Sequence, residues 1–192
     1  MKIGKVSEPI LKRSVLKYLQ PNNEMECKGA AVGADCALFS DKTGVSKGDK
    51  ENETAQGKLL ATATASVSGE KSPSCAAHAI LRATNNLAAA GAKAFAVQLH
   101  IMLPERYREI ALKRIMEAAA KTARELQVTI SGGHTESLPD IQSPIVSATA
   151  LGYASQEIAA KVYNKAKAGQ DIVMTKWIGI SDTVRLAQEK EE

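Results

Sequence analysis

The sequence predicts an α+β domain, and three observations carry that expectation. Leu59–Val67 and Phe95–Leu103 alternate residue by residue between two kinds of side chain, the period of a strand. Helical spacing of apolar residues fills Pro73–Gly91 and the stretch that opens at Pro104-Glu105 and runs to Leu126. Between them and a further strand, Ile145–Tyr153, lies Val128-Thr129-Ile130-Ser131-Gly132-Gly133-His134-Thr135-Glu136. It reads as a short buried strand running into a two-glycine turn that carries a histidine and a carboxylate. Paired glycines give the backbone conformations closed to other residues. A strand end that delivers polar side chains this way is a common place for a site.

The 192 residues suffice for one substantial core, and 44% hydrophobic with 24% charged residues is the mix of a globular protein. Aromatics are only 4%, so the core must be built from Ala, Val, Ile and Leu. No run is long and apolar enough for a transmembrane helix, and the N-terminus lacks a signal-peptide pattern, so no membrane association is expected. Cys27, Cys36 and Cys75 show neither paired spacing nor an even count, which fits reduced thiols in a cytoplasmic protein. The net charge of +4 allows a small anionic ligand, but its scattered lysines give no nucleic-acid footprint.

Taken in order, Ser7 is placed to cap a first helix with Pro9 in its first turn, and Leu11, Val15, Tyr18 and Leu19 fall on one face. Pro21-Asn22-Asn23 ends it. The basic residues beside that face are a solvated surface or a phosphate contact. Val32–Phe39 is a glycine and an aspartate leading into a short strand, and Asp35 is either a turn residue or a carboxylate presented to a metal ion. Ser40–Gly57 turns polar and aperiodic, the composition of a mobile loop. Ala61, Ala63, Ala65 and Val67 share one strand face, with Thr62, Thr64 and Ser66 on the other.

The helix opened by Pro73 is expected to turn Ala77, Ile80, Leu81, Thr84, Leu87, Ala88 and Gly91 inward, with Asn85 and Asn86 in its last turns and Gly91 at its end. In the next strand Phe95, Val97, Leu99, Ile101 and Leu103 share one face. Ala96, Gln98, His100 and Met102 share the other, which favours His100 as a residue of the less apolar sheet face over His100 as a ligand. The long helix that follows turns Leu112, Ile115, Met116, Ala119, Ala123 and Leu126 inward. Beyond Tyr153, Ala166–Gln170 reads as a turn, Ile172–Thr175 as a strand, and Ser181 as the cap of a last helix still in stride at Glu192. That last feature raises the expectation of a longer protein.

The opening MKIGKVSEPILKRSVLKYL, VGADCALF, ATNNLAAAGAKAFAVQLHIMLP, ISGGHTE and AGQDIVMTKWIGI occur in an order that resembles the N-terminal domain of the aminoimidazole ribonucleotide (AIR) synthase, or PurM-like, superfamily. Within it the chain is most similar to HypE-like hydrogenase-maturation proteins. The resemblance implies an α+β, PurM-like mixed sheet with helices on one face, dimerising through the sheet into a barrel. It implies domain 1–165 for ATP binding and dimerisation, and 166–192 as the start of a truncated or absent C-terminal domain. ATP and Mg²⁺ would be held near the dimer interface, the ion by carboxylates and phosphate oxygens.

Carried over by position, the resemblance points to Gly33, Asp35, Asn85, Asn86, Gly132, Gly133, His134 and Thr135 for the nucleotide, and to Asp35, Asn86 and Glu136 for the metal. Relatives often carry Asp or Glu where His134 stands. Many have Thr-Thr-Asp where this chain has Thr64-Ala65-Ser66, and Asn-Asp where it has Asn85-Asn86. Two readings follow. One is the N-terminal half of a HypE-like, ATP-dependent enzyme, inactive as this chain alone, working as a homodimer with a maturation partner protein. The other is an assembly module that kept the fold and lost the metal-binding carboxylates. Beside these two stands a plain structural domain.

Overall fold

The structure is a computed structural model that describes residues 5–19, 26–40, 58–68, 73–162, 167–174 and 176–190. The loop expected to be mobile, Ser40–Gly57, lies outside these residues apart from Ser40, as does Pro21-Asn22-Asn23. The elements are α1 (Glu8–Ser14), β1 (Glu26–Lys28), β2 (Ala37–Ser40), β3 (Lys58–Ser68), α2 (Cys75–Ala89), β4 (Ala92–Pro104), α3 (Glu109–Glu125), β5 (Thr129–Leu138), β6 (Ile145–Ser155), α4 (Gln156–Val162) and α5 (Ile180–Lys190).

The strands form one sheet in the order β1-β2-β3-β6-β4-β5. Every pairing is antiparallel except β4 with β5. Parallel neighbours need a long crossover, and α3 supplies it. Helix α2 lies across β3, β6 and β4, and α3 packs beside α2 and against β5. One face of the sheet is therefore covered, and it is built from small residues: Ala61, Ala63, Ala148, Ala150 and Ala154 are buried there with Val97, Leu99 and Ile101. Alanine on the sheet lets an alanine-rich helix come close, which is how a core with so few aromatics reaches close packing.

The other face has no cover among the described residues. Its centre is a polar ladder: Thr64 and Thr149 share a hydroxyl hydrogen bond of 3.0 Å, and Ser66 and Ser147 one of 2.7 Å. Phe95 and Tyr153 stack at 5.0 Å beside it.

The structure corrects several expectations. Helix α2 is rotated: Cys75, Ala76, Ala79, Ile80, Ala83 and Leu87 are buried, while Leu81 and Ala88 are exposed. Thr84 turns back on its own helix, donating to the Ile80 and Leu81 carbonyls. Phe95 leaves the inner face because the β4–β6 register shifts between Ala94 and Ala96, and the extra residue swings its ring outward. Helix α3 begins at Glu109 after a turn at Glu105-Arg106, and Leu126 lies beyond its end, exposed. Helix α1 stops at Ser14, a short 3-10 turn follows at Leu16–Tyr18, and none of these residues is buried.

The described residues of the expected strand Ile172–Thr175 form no strand, for no strand of the sheet pairs with them. Ile172 is 100% exposed and Trp177 85%. Gly91 does close α2, donating its N–H to Ala88.

Candidate functional site

The glycine pair is not a turn. β5 continues through it as the edge strand, exposed along most of its length rather than buried. Ile130 pairs with Val97 and Gly132 with Gln98, so Ser131 is an extra residue, a bulge whose hydroxyl donates to the Val97 carbonyl at 3.3 Å. Gly132 and Gly133 follow at φ 137° and 151°, conformations that side chains rarely adopt. The bulge and the glycines set the register beyond it, with His134 opposite His100 and Glu136 opposite Met102. All four side chains belong to the uncovered face.

Three of them converge. His100 Nε2 lies 3.0 Å from Glu136 Oε1, and donates to it when the carboxylate is ionised. His134 Nε2 lies 3.8 Å from Glu136 Oε2. The imidazole rings sit 5.4 Å apart, tilted by 60°. The hydrogen bond from His100 is the main cause holding the Glu136 carboxyl below its usual range; partial burial opposes it, and charge on His134 and His100 adds to it. His100 and Glu136 are half-buried and His134 is largely exposed.

The other residues singled out by sequence lie elsewhere. Gly33 (φ 80°) and Asp35 are exposed in the turn before β2, where Asp35 meets Lys5 at 3.4 Å. Asn85 is exposed and Asn86 half-buried in the last turn of α2, on the covered side of the sheet. Thr135 is exposed on β5, paired with Ile101. Between β2 and β5 stand β3, β6 and β4, roughly 19 Å along the sheet at about 4.8 Å per strand. One chain thus brings Gly132, Gly133, His134 and Glu136 together with His100, and keeps Asp35 and Asn86 apart from them. His100 is the residue whose place in this cluster local sequence does not show. Its face was legible from the alternation, but its partner 36 residues away was not.

The family model for the N-terminal domain of AIR synthase related proteins matches residues 33–154, well over half of the chain. The chain belongs to this family. No curated protein matches it. Among solved structures, the AIR synthase-related domain is similar to HypE in the HypE–HypF complex, at 19% identity and a TM-score of 0.47 over 50% of this chain and 33% of that one. It is similar to HypE in complex with ATP, at 22% and 0.43 over 48% and 30%. It is also similar to thiamine monophosphate kinase from Aquifex aeolicus, at 14% and 0.46 over 50% and 34%. The chain thus spans about a third of the length of these proteins. No helix among its described residues is long and apolar enough to cross a membrane.

Proposed function

We propose that this chain is the nucleotide-binding, self-associating domain of a HypE-like, ATP-dependent cytoplasmic protein that works with a maturation partner. The observation that carries the reading is the family match from Gly33 to Ala154, which takes in two glycine turns or bulges with unoccupied space where a side chain would be. Gly33 and Gly132 have positive φ, and a Cβ built on either would meet nothing within 4 Å. Backbone that is exposed and free of side chain is what phosphate oxygens approach.

In this reading Asp35 supplies the carboxylate for a Mg²⁺ that arrives with the nucleotide and is otherwise held by phosphate oxygens. Glu136 is already engaged by two histidines, a donor set that does not suit Mg²⁺. The open sheet face packs on a second copy of the chain, closing the barrel. Asn85 and Asn86, from the last turn of α2, and Thr135, from within β5, line the nucleotide groove.

Calorimetry with ATP and Mg²⁺ tests this. Wild type is expected to bind weakly and without turnover, since a wet site stabilises a transition state poorly. Asp35→Ala should weaken binding by about 1–3 kcal/mol, the worth of a charge-assisted contact. Asn86→Asp should strengthen it. Tight binding that ignores Asp35→Ala would remove Asp35 from the site.

The assembly-module reading draws on a separate observation, the distance between Asp35 and Glu136 within one chain. It requires self-association with no nucleotide binding at all, and the same titration separates the two.

A further inference from the structure

We propose that His100, His134 and Glu136 form a site for a divalent transition ion of the zinc type, distinct from any Mg²⁺ carried by a nucleotide. Their donor atoms, one imidazole nitrogen from each histidine and a carboxylate oxygen, all lie within 4.8 Å of one another. His100 Nε2 lies 3.0 Å from one Glu136 carboxylate oxygen and His134 Nε2 3.8 Å from the other. A tetrahedral zinc ion with bonds of about 2.0–2.2 Å holds its ligands roughly 3.3–3.6 Å apart, so the observed gaps bracket that spacing. Small side-chain rotations bring all three donors onto one ion.

The backbone explains why the three meet. His134 and Glu136 are two apart on β5 and so share a face, and parallel pairing sets His100 directly beside His134. The Ser131 bulge fixes that register, and Gly133 lets β5 approach Leu99 closely enough to keep it. The site therefore rests on two adjacent strands rather than on a loop, which gives its donors a fixed frame.

The donor types choose the ion. Mg²⁺ takes oxygen ligands and keeps its waters, whereas two imidazoles and a carboxylate suit zinc, iron or nickel. Three protein ligands leave at least one coordination position for water or an anionic oxygen, the open arrangement of a working metal site rather than the closed one of a structural site. Glu136 contributes the negative charge, and its existing hydrogen bond to His100 holds both ligands close before an ion arrives.

The inference does not depend on nucleotide binding. Its test is calorimetry of the full chain with Zn²⁺ alone, repeated for His134→Ala, Glu136→Gln and His78→Ala. Circular dichroism confirms that each variant is folded; His134 is exposed enough that its loss should leave the fold intact. The expected result is one ion per chain, at least about tenfold weaker binding in His134→Ala and Glu136→Gln, and no change in His78→Ala. Losing an outer-shell partner already costs a metal site about that much. Excess Mg²⁺ should not displace the zinc. Wild-type binding that survives both His134→Ala and Glu136→Gln, displacement by Mg²⁺ at equal concentration, or no binding by wild type would each overturn the proposal.

Discussion

Gly133 of β5 lies so close to Leu99 of β4 that a Cβ placed on it would overlap the Leu99 carbonyl oxygen. Its φ of 151° adds a second reason why no other residue fits. Gly133→Ala is expected to destabilise the fold by about 1–3 kcal/mol from the backbone conformation alone, with the overlap adding to it. The midpoint of urea unfolding reads this. An unchanged midpoint would mean that the edge strand moves away freely, and the register of His134 with it.

Phe95 and Tyr153 stack on a sheet face that no helix among the described residues covers, and they are 41% and 51% exposed. With Phe39, Leu60 and Leu151 on neighbouring strands, they make an apolar margin around the threonine and serine ladder. Sedimentation velocity is expected to show a dimer at micromolar concentration, and Tyr153→Glu is expected to shift it to monomer with little change in melting temperature. A wild-type monomer would show that this face stays in water.

Ile80 is fully buried between α2 and an alanine-lined sheet. Ile80→Ala should cost about 2–5 kcal/mol, because small neighbours on rigid strands cannot collapse into the cavity. The converse change, Ala148→Leu, should cost about 1–3 kcal/mol by forcing α2 off the sheet. Both are measured by chemical denaturation. If the enlargement were tolerated without loss, the close helix–sheet contact described above would be absent in solution.

Burial pushes the Cys36 thiol up, with a backbone hydrogen bond involving Thr62 acting the other way. A group whose folded value is raised contributes stability that is complete below its unfolded value, about 8.5 for a thiol, and is lost as pH rises through the folded value. Melting temperature is therefore expected to fall more steeply above about pH 8.5 in wild type than in Cys36→Ala. Parallel curves for the two would assign the alkaline loss to other groups. Alkylation of Cys36 in the folded protein should also lag behind that of a free thiol, since the thiolate is the nucleophile.

Much of this architecture was legible in the sequence where side-chain contrast was high. Ala61, Ala63 and Val67 against Thr62, Thr64 and Ser66 announced β3 and both of its faces. Contrast failed in α2, where alanines surround the helix and a wrong stripe looked as good as the right one; only packing against β3, β6 and β4 selects Ala76, Ala79 and Ala83. Phe95 was misplaced because a bulge leaves no mark in an alternating pattern until the partner strand is known. Gly132-Gly133 resembled a turn for a sound local reason, since positive φ is commonest there. Their actual work, admitting a close neighbour in mid-strand, depends on Leu99.

The site shows the same boundary between local and distant information. His134 and Glu136 stood out within one short motif. Family resemblance groups Asp35 and Asn86 with them, and within one chain the fold sets Asp35 in the turn before β2 and Asn86 in α2. His100 joins through a parallel pairing that no spacing rule along the chain encodes.

The position of β6 has a consequence for how the molecule assembles. Among the described strands it alone pairs with both β3 and β4, so it joins the β1-β2-β3 ribbon to the β4-β5 pair. Its pairing with β3 sets Thr64 against Thr149, far apart along the chain. During synthesis each half emerges with a raw edge and no neighbour until β6 follows. Loop closure over such distances is slow, and edges left waiting invite pairing with the wrong strand. Of the described strands the last made is thus the one that unites the sheet, and slow translation through β6 is expected to lengthen the time the nascent chain stays vulnerable.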